Sequence, residues 1–173
     1  SNIDAEIVAT AGFDWVVIDT EHSPNELPMV LQQLQAMQID ANTATPVVRP
    51  AWNDPVLIKR FLDIGSPNLI LPFVQDAEEA RRAVEATRYP PAGIRGVSMS
   101  QRANRYGLVT DYHARATEEL GVIVQVETLA ALDRIGDIAK VDGIDGIFIG
   151  PADLSADAGH LGNSAHAGAQ GAI

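Results

Sequence analysis

Short apolar runs that end in charge constrain this chain more than any other feature. Five can be marked: Trp15–Asp19 (WVVID), Pro46–Arg49 (PVVR), Asn68–Val74 (NLILPFV), Val122–Glu127 (VIVQVE) and Gly146–Gly150 (GIFIG). Each is too short for a stable helix, nearly continuous in apolar residues and bounded by turn formers, the pattern of strands buried on both faces of a parallel sheet. Longer segments with helical periodicity separate them. From about Glu26 to Met37, Leu27, Val30, Leu31 and Leu34 fall on one face. Pro55, just after the capping candidates Asn53 and Asp54, opens a helix running to about Asp63, before Gly65. Asp76 opens another that ends near Arg88, and Thr128 caps a third that stops before Gly143. The chain therefore reads as successive βα units.

A charge inside or just after a buried strand is costly unless something pairs with it. Here Asp19, Glu21 and His22 follow the first strand, Arg49 closes the second, Gln125 and Glu127 end the fourth, and Asp153 follows the fifth. All lie at carboxyl-terminal ends, the rim where the loops of a parallel barrel converge on an active site. Each has a plainer reading: a strand-end cap for His22, an ion pair for Arg49, helix amino-terminal acids for Glu127 and Asp153, a structural helix-end acid for Asp63. His113, His160 and His166 read as surface histidines. Taken together, Glu127 and Asp153 suit a hard cation with open positions, Arg49 a developing oxyanion, and His22 proton transfer near neutral pH.

Composition narrows the chemistry. There is no cysteine among the 173 residues, which excludes disulfides, thiolate nucleophiles and Cys-ligated zinc. The lysines Lys59 and Lys140 fall in predicted helices, which disfavours Schiff-base chemistry. The net charge of −11, from 23 acidic against 12 basic residues, argues against nucleic acid as a partner. No apolar stretch approaches the roughly 18 to 20 residues of a membrane span, and the amino terminus lacks a signal-peptide layout, so a cytoplasmic location is expected. The segment Tyr89–Arg105, rich in Pro, Gly and Arg, is too long for an ordinary connection. The small-residue tail from Ala165 to Ile173 reads as the start of a helix.

The blocks GFDWVVIDTEHSPN (Gly12–Asn25), PVVRPAWNDPVLIKRFLDIG (Pro46–Gly65), RYPPAGIRGVS (Arg88–Ser98), VQVET (Val124–Thr128) and GIFIGPADLSADAGHLGN (Gly146–Asn163), in this order, resemble the HpcH/HpaI aldolases, metal-dependent (class II) enzymes of 2-keto acids. The resemblance implies an α/β fold of the (β/α)8 TIM-barrel, phosphoenolpyruvate/pyruvate type. The chain would then be a single barrel domain over residues 1–173, truncated at both ends, without the family's first strand and last two strands. It also implies that Glu127 and Asp153 hold Mg2+ or Mn2+, with Co2+ as another possible ion, and that Gln125 and the backbone at Ala152 help seat pyruvate. His22 would be the general base, Arg49 would stabilise the enolate, and Asp63 would raise the basicity of His22, with Asp19 a rival for that role. A homotrimer or homohexamer is expected. Within the family, LDIG, NLILPFV, RGVSMSQRAN and AGHLGN point to 2-dehydro-3-deoxyglucarate as substrate, cleaved to pyruvate and tartronate semialdehyde. The alternatives are 4-hydroxy-2-oxoheptanedioate, giving pyruvate and succinate semialdehyde, a CoA thioester, or a non-catalytic scaffold. Arg102, in the long loop, is a candidate for a distal substrate carboxylate.

Overall fold

The structure is a computed structural model that describes residues 1–39 and 43–171. Helix α1 (Asn2–Ala9) leads into β1 (Trp15–Asp19), followed by α2 (Leu27–Ala36), β2 (Thr45–Arg49), α3 (Pro55–Asp63), β3 (Asn68–Leu71) and α4 (Ala77–Thr87). A long loop carrying a 3-10 segment (Arg102–Gly107) and the short α5 (Tyr112–Arg115) leads to β4 (Gly121–Val126). Next come α6 (Leu129–Leu132), α7 (Ile135–Ile138), β5 (Gly146–Ile149), α8 (Pro151–Asp157) and α9 (Ala167–Gln170). The five strands form one parallel sheet in chain order, β1-β2-β3-β4-β5. Sequential parallel neighbours joined through helices make an arc of a barrel wall.

Local chemistry fixes the helix starts. Asp54 accepts from the N–H groups of Val56 and Leu57 ahead of α3, Asp76 from Glu79 ahead of α4, and Thr128 from Ala131 ahead of α6. Helix α2 has no such side-chain cap and carries Pro28 in its first turn, where a missing N–H costs nothing. Two expectations shift. The third strand stops at Leu71 rather than Val74, because Pro72 has no N–H for the ladder and Phe73 turns to φ +56°. The helix after β4 is two short pieces rather than one.

Strand register decides which side chains face which way. Val48 is opposite both Ile18 and Leu69, Leu69 is opposite Val122, and Leu71 is opposite Val124. All of these are buried. Ile18, Val48, Leu69, Leu71 and Val122 pack with Val30, Leu34, Ile58, Phe61 and Val84 of the helices. Val124 and Val126 join Ala131 and Ile138 under α6 and α7. Burial of each such side chain contributes about 1.5–3 kcal/mol. Because side chains alternate, the residues between them face the other side of the sheet: Val17 and Asp19, Val47 and Arg49, Gln125 and, one step past β4, Glu127. The helices thus hold the outer face in place, and the polar row is turned to the inner face of the arc.

Candidate active site

At the carboxyl ends of the strands this inward row forms a connected set. Asp19 and Arg49 are register partners, and the guanidinium binds the carboxylate through two parallel bonds, Nε to Oδ1 and Nη2 to Oδ2, both 2.8 Å. Arg49 Nη1 donates to Gln125 Oε1 at 3.2 Å and lies 3.0 Å from Glu21 Oε2. Gln125 in turn donates through Nε2 to Glu127 Oε2. The other oxygen of Glu127 accepts the backbone N–H of Phe73 at 2.8 Å. Gln125 and Glu127 are buried. Four separate strand ends therefore meet in one chain of charge and amide.

The segment after β1 is folded around the same pair. Asp19 accepts from the N–H groups of Glu21 (3.0 Å) and His22 (3.4 Å), while Thr20 Oγ1 donates to Arg49 O at 2.7 Å. Burial opposes ionisation of Asp19, but the Arg49 bonds and the two N–H groups outweigh it and hold its pKa below the ordinary value. The Asp19 carboxylate raises the pKa of Arg49 against the opposing effect of burial. Glu21 is pushed the other way: desolvation, with the nearby charges of Glu127 and Asp19, outweighs Arg49 and raises its pKa.

The structure places the expected site residues unequally. His22 stands at the rim with 64% of its side chain exposed, its Nε2 3.7 Å from Glu21 Oε2. Asp153 lies exposed in the first turn of α8, and Ala152 precedes it. Gly150, the cap of that helix, passes so close to Glu127 that a Cβ there would come within 2.8 Å of both its Cβ and Oε2, which brings the start of α8 against the Glu127 side chain. Asp63 is the departure. It closes α3 at the end remote from the strand termini and pairs with the buried Arg95 (2.9 Å), not with His22. Within one chain the carboxylate facing the imidazole is Glu21, and Asp19 reaches only the backbone of His22. Arg102 is also displaced from its expected role: it donates to Ile64 O (2.6 Å) and Gln38 Oε1 (2.9 Å), bracing the end of α3 instead of facing the site.

Two contributors escaped the sequence reading. Glu21 stood among the strand-end charges, but its contact with Arg49 could not be separated from that of Asp19. Phe73 acts through a backbone N–H, for which residue type gives no signal, although Pro72 before it marks the end of the strand. Both bear on metal binding. Glu21 Oε2 is buried without a hydrogen bond of good geometry, and the arginine 3.0 Å from it is shared with Asp19. The donor set is all hard oxygen. Among the described residues no three or more His, Asp or Glu side chains gather into a metal cluster. The arrangement fits an ion such as Mg2+ that takes one or two carboxylates and fills its remaining positions with water and substrate oxygens.

The family described as HpcH/HpaI aldolase/citrate lyase matches residues 1–173. A curated relative from Klebsiella pneumoniae subsp. pneumoniae, 4-hydroxy-2-oxo-heptane-1,7-dioate aldolase, is 58% identical over 100% of this chain and 65% of its own length. The chain thus spans a little under two thirds of that relative. The crystal structure of a HpcH/HpaI aldolase/citrate lyase family protein from Burkholderia cenocepacia superposes with a TM-score of 0.96 at 41% identity, covering 99% of this chain and 68% of the other. The citrate synthase SbnG superposes at 0.85 with 30% identity, over 99% and 66%.

Proposed function

We propose, from the premise that this chain belongs to the HpcH/HpaI aldolase/citrate lyase family, that it carries the catalytic rim of a class II aldolase that cleaves 4-hydroxy-2-oxo-heptane-1,7-dioate to pyruvate and succinate semialdehyde. The observation that carries the chemistry is the inward row Asp19, Arg49, Gln125 and Glu127, with His22 at its mouth. The name of the 58%-identical relative favours this substrate over 2-dehydro-3-deoxyglucarate, the first expectation from sequence. The five-stranded arc is read as part of a (β/α)8 barrel, and the protein as a homotrimer or homohexamer.

Glu127 and Asp153 would hold Mg2+ or Mn2+, which when bound supplies Lewis acidity to the 2-keto group. Gln125 and the backbone at Ala152 orient the pyruvate half of the substrate. His22, largely exposed, takes the proton of the C4 hydroxyl as the C3–C4 bond breaks. C4 leaves as the aldehyde carbonyl, and the bonding pair passes to C3, giving the enolate of pyruvate. Arg49, its Nε and Nη1 engaged by Asp19, Gln125 and Glu21, has a further Nη2 hydrogen to direct at the enolate oxygen, held in place beforehand by Asp19. Proton return to C3 completes pyruvate.

The test is a comparison of kcat/KM for pyruvate release from the two diacids, 4-hydroxy-2-oxo-heptane-1,7-dioate and 2-dehydro-3-deoxyglucarate. A preference of tenfold or more for the first supports the substrate assignment. A preference for the second restores the expectation from sequence, and no pyruvate from either removes the aldolase reading.

A further inference from the structure

We propose that Trp52 and Phe73 are positioning residues for Glu127: their stacked rings hold the segment after β3 in the strained conformation that aims the Phe73 N–H at the carboxylate. This rests on the reading of Glu127 as a metal ligand. Phe73 sits at φ +56°, a region that suits glycine and costs a bulky residue about 1–3 kcal/mol. What that conformation achieves is visible on both sides of the peptide. The Phe73 N–H reaches Glu127 Oε1 at 2.8 Å, and the next N–H, of Val74, reaches Gln125 O at 3.1 Å. The dipeptide thereby ties itself to the strand end that presents both Gln125 and Glu127.

These two bonds offset part of the strain, and neither ring is fully buried in the core. Phe73 is 40% exposed and Trp52 52% exposed. Their rings stack with centroids 5.3 Å apart and planes 28° from parallel. Such a pair contributes about 0.5–1.5 kcal/mol beyond its buried area, the same order as the backbone cost. A cavity of about 340 Å3, lined by Trp52, Phe73, Ile58 and Ile94, lies against the pair. The rings are therefore not wedged by a packed core, and without Trp52 the Phe73 segment has room to relax. Trp52 also follows β2 three residues after Arg49, so the stack links the segment beyond the arginine strand to the one that fixes the carboxylate.

Glu127 is pinned at both oxygens, by Phe73 N–H and by Gln125 Nε2. Loss of a partner that orients a metal ligand costs about 10–100-fold in metal affinity. The experiment is Mn2+ titration of the purified protein by calorimetry, for wild type, Trp52→Ala, Trp52→Phe and Glu127→Gln, with circular dichroism confirming that each is folded. Trp52→Leu, which keeps apolar bulk without a ring, replaces the alanine variant if that one does not fold. The expected result is a Kd for Mn2+ weakened about tenfold or more in Trp52→Ala and restored to within about threefold of wild type in Trp52→Phe. A purely structural role would lower the melting temperature in EDTA and leave the Kd unmoved. Wild-type affinity in Trp52→Ala, alongside binding lost in Glu127→Gln, overturns the positioning role alone. No Mn2+ binding by wild type, or full binding by Glu127→Gln, overturns the metal assignment and this proposal with it.

Discussion

Replacing Asp19 by asparagine removes the charge that holds Arg49, and its cost follows from the contacts. Two charge-assisted bonds of 2.8 Å are affected, each worth about 1.5–3 kcal/mol when well shielded. The side chains are 18% and 21% exposed, so water recovers part of that, and the amide oxygen can still accept one guanidinium bond and a backbone N–H. The remaining loss is about 2–3 kcal/mol, most of it from leaving Arg49 a single charged partner in Glu21. At about 2–4 °C per kcal/mol for a chain of this size, the melting temperature falls by about 4–12 °C at pH 7. The pH dependence has a definite sign. The Asp19 pKa is lowered in the fold, so its stabilisation is fully present above the unfolded value of about 3.9 and disappears as pH falls through the lower folded value. The gap between wild type and Asp19→Asn should stay constant from pH 8 to about pH 5 and close only in stronger acid. The assay is denaturant unfolding of wild type, Asp19→Asn, Arg49→Met and the double variant at fixed protein concentration. A coupling energy above about 1 kcal/mol is expected, and additivity within about 0.5 kcal/mol would refute the reasoning.

Asp63→Asn leaves the guanidinium of Arg95, 1% exposed, without its carboxylate and should cost about 3–5 kcal/mol, whereas Arg95→Met with Asp63→Asn should recover much of it; equal losses in single and double variants would count against a buried pair. Gly150→Ala forces a methyl group against Glu127 and should weaken Mn2+ binding at least tenfold, which calorimetry reads directly; unchanged affinity would mean that the close approach has no bearing on the carboxylate. Glu21 has a raised pKa, so it favours folding while protonated and loses that contribution as pH rises through the folded value. In EDTA, Glu21→Gln should therefore be more stable than wild type at pH 8, with the advantage vanishing near pH 4; a variant less stable at pH 8 would show that Arg49 dominates.

Much of this architecture is legible in the sequence because its signals are local. Apolar runs of strand length, caps such as Asp54, Asp76 and Thr128, and charges at strand ends state βα units and name one rim. The pairings were less legible. Asp19, Glu21 and Asp63 are all acids near Arg49, His22 or a helix end, and only register shows that Asp19 is opposite Arg49 while Asp63 is carried away along α3 to Arg95. Arg102 illustrates the same limit, since a flexible arginine in a loop carries no sign of the carbonyl it will bind. The Phe73 N–H is invisible to any reading by residue type, because every residue but proline has one.

The central claim is that Glu127 and Asp153 serve a divalent ion in retro-aldol chemistry at this rim. The most direct measurement is pyruvate release from 4-hydroxy-2-oxo-heptane-1,7-dioate, coupled to lactate dehydrogenase, after treatment with EDTA and after Mg2+ or Mn2+ is restored, for wild type, Glu127→Gln and Asp153→Asn. Activity abolished by EDTA, recovered with metal in wild type and unrecovered in either variant is the predicted result. Turnover indifferent to EDTA, or retained in both variants, would contradict the account.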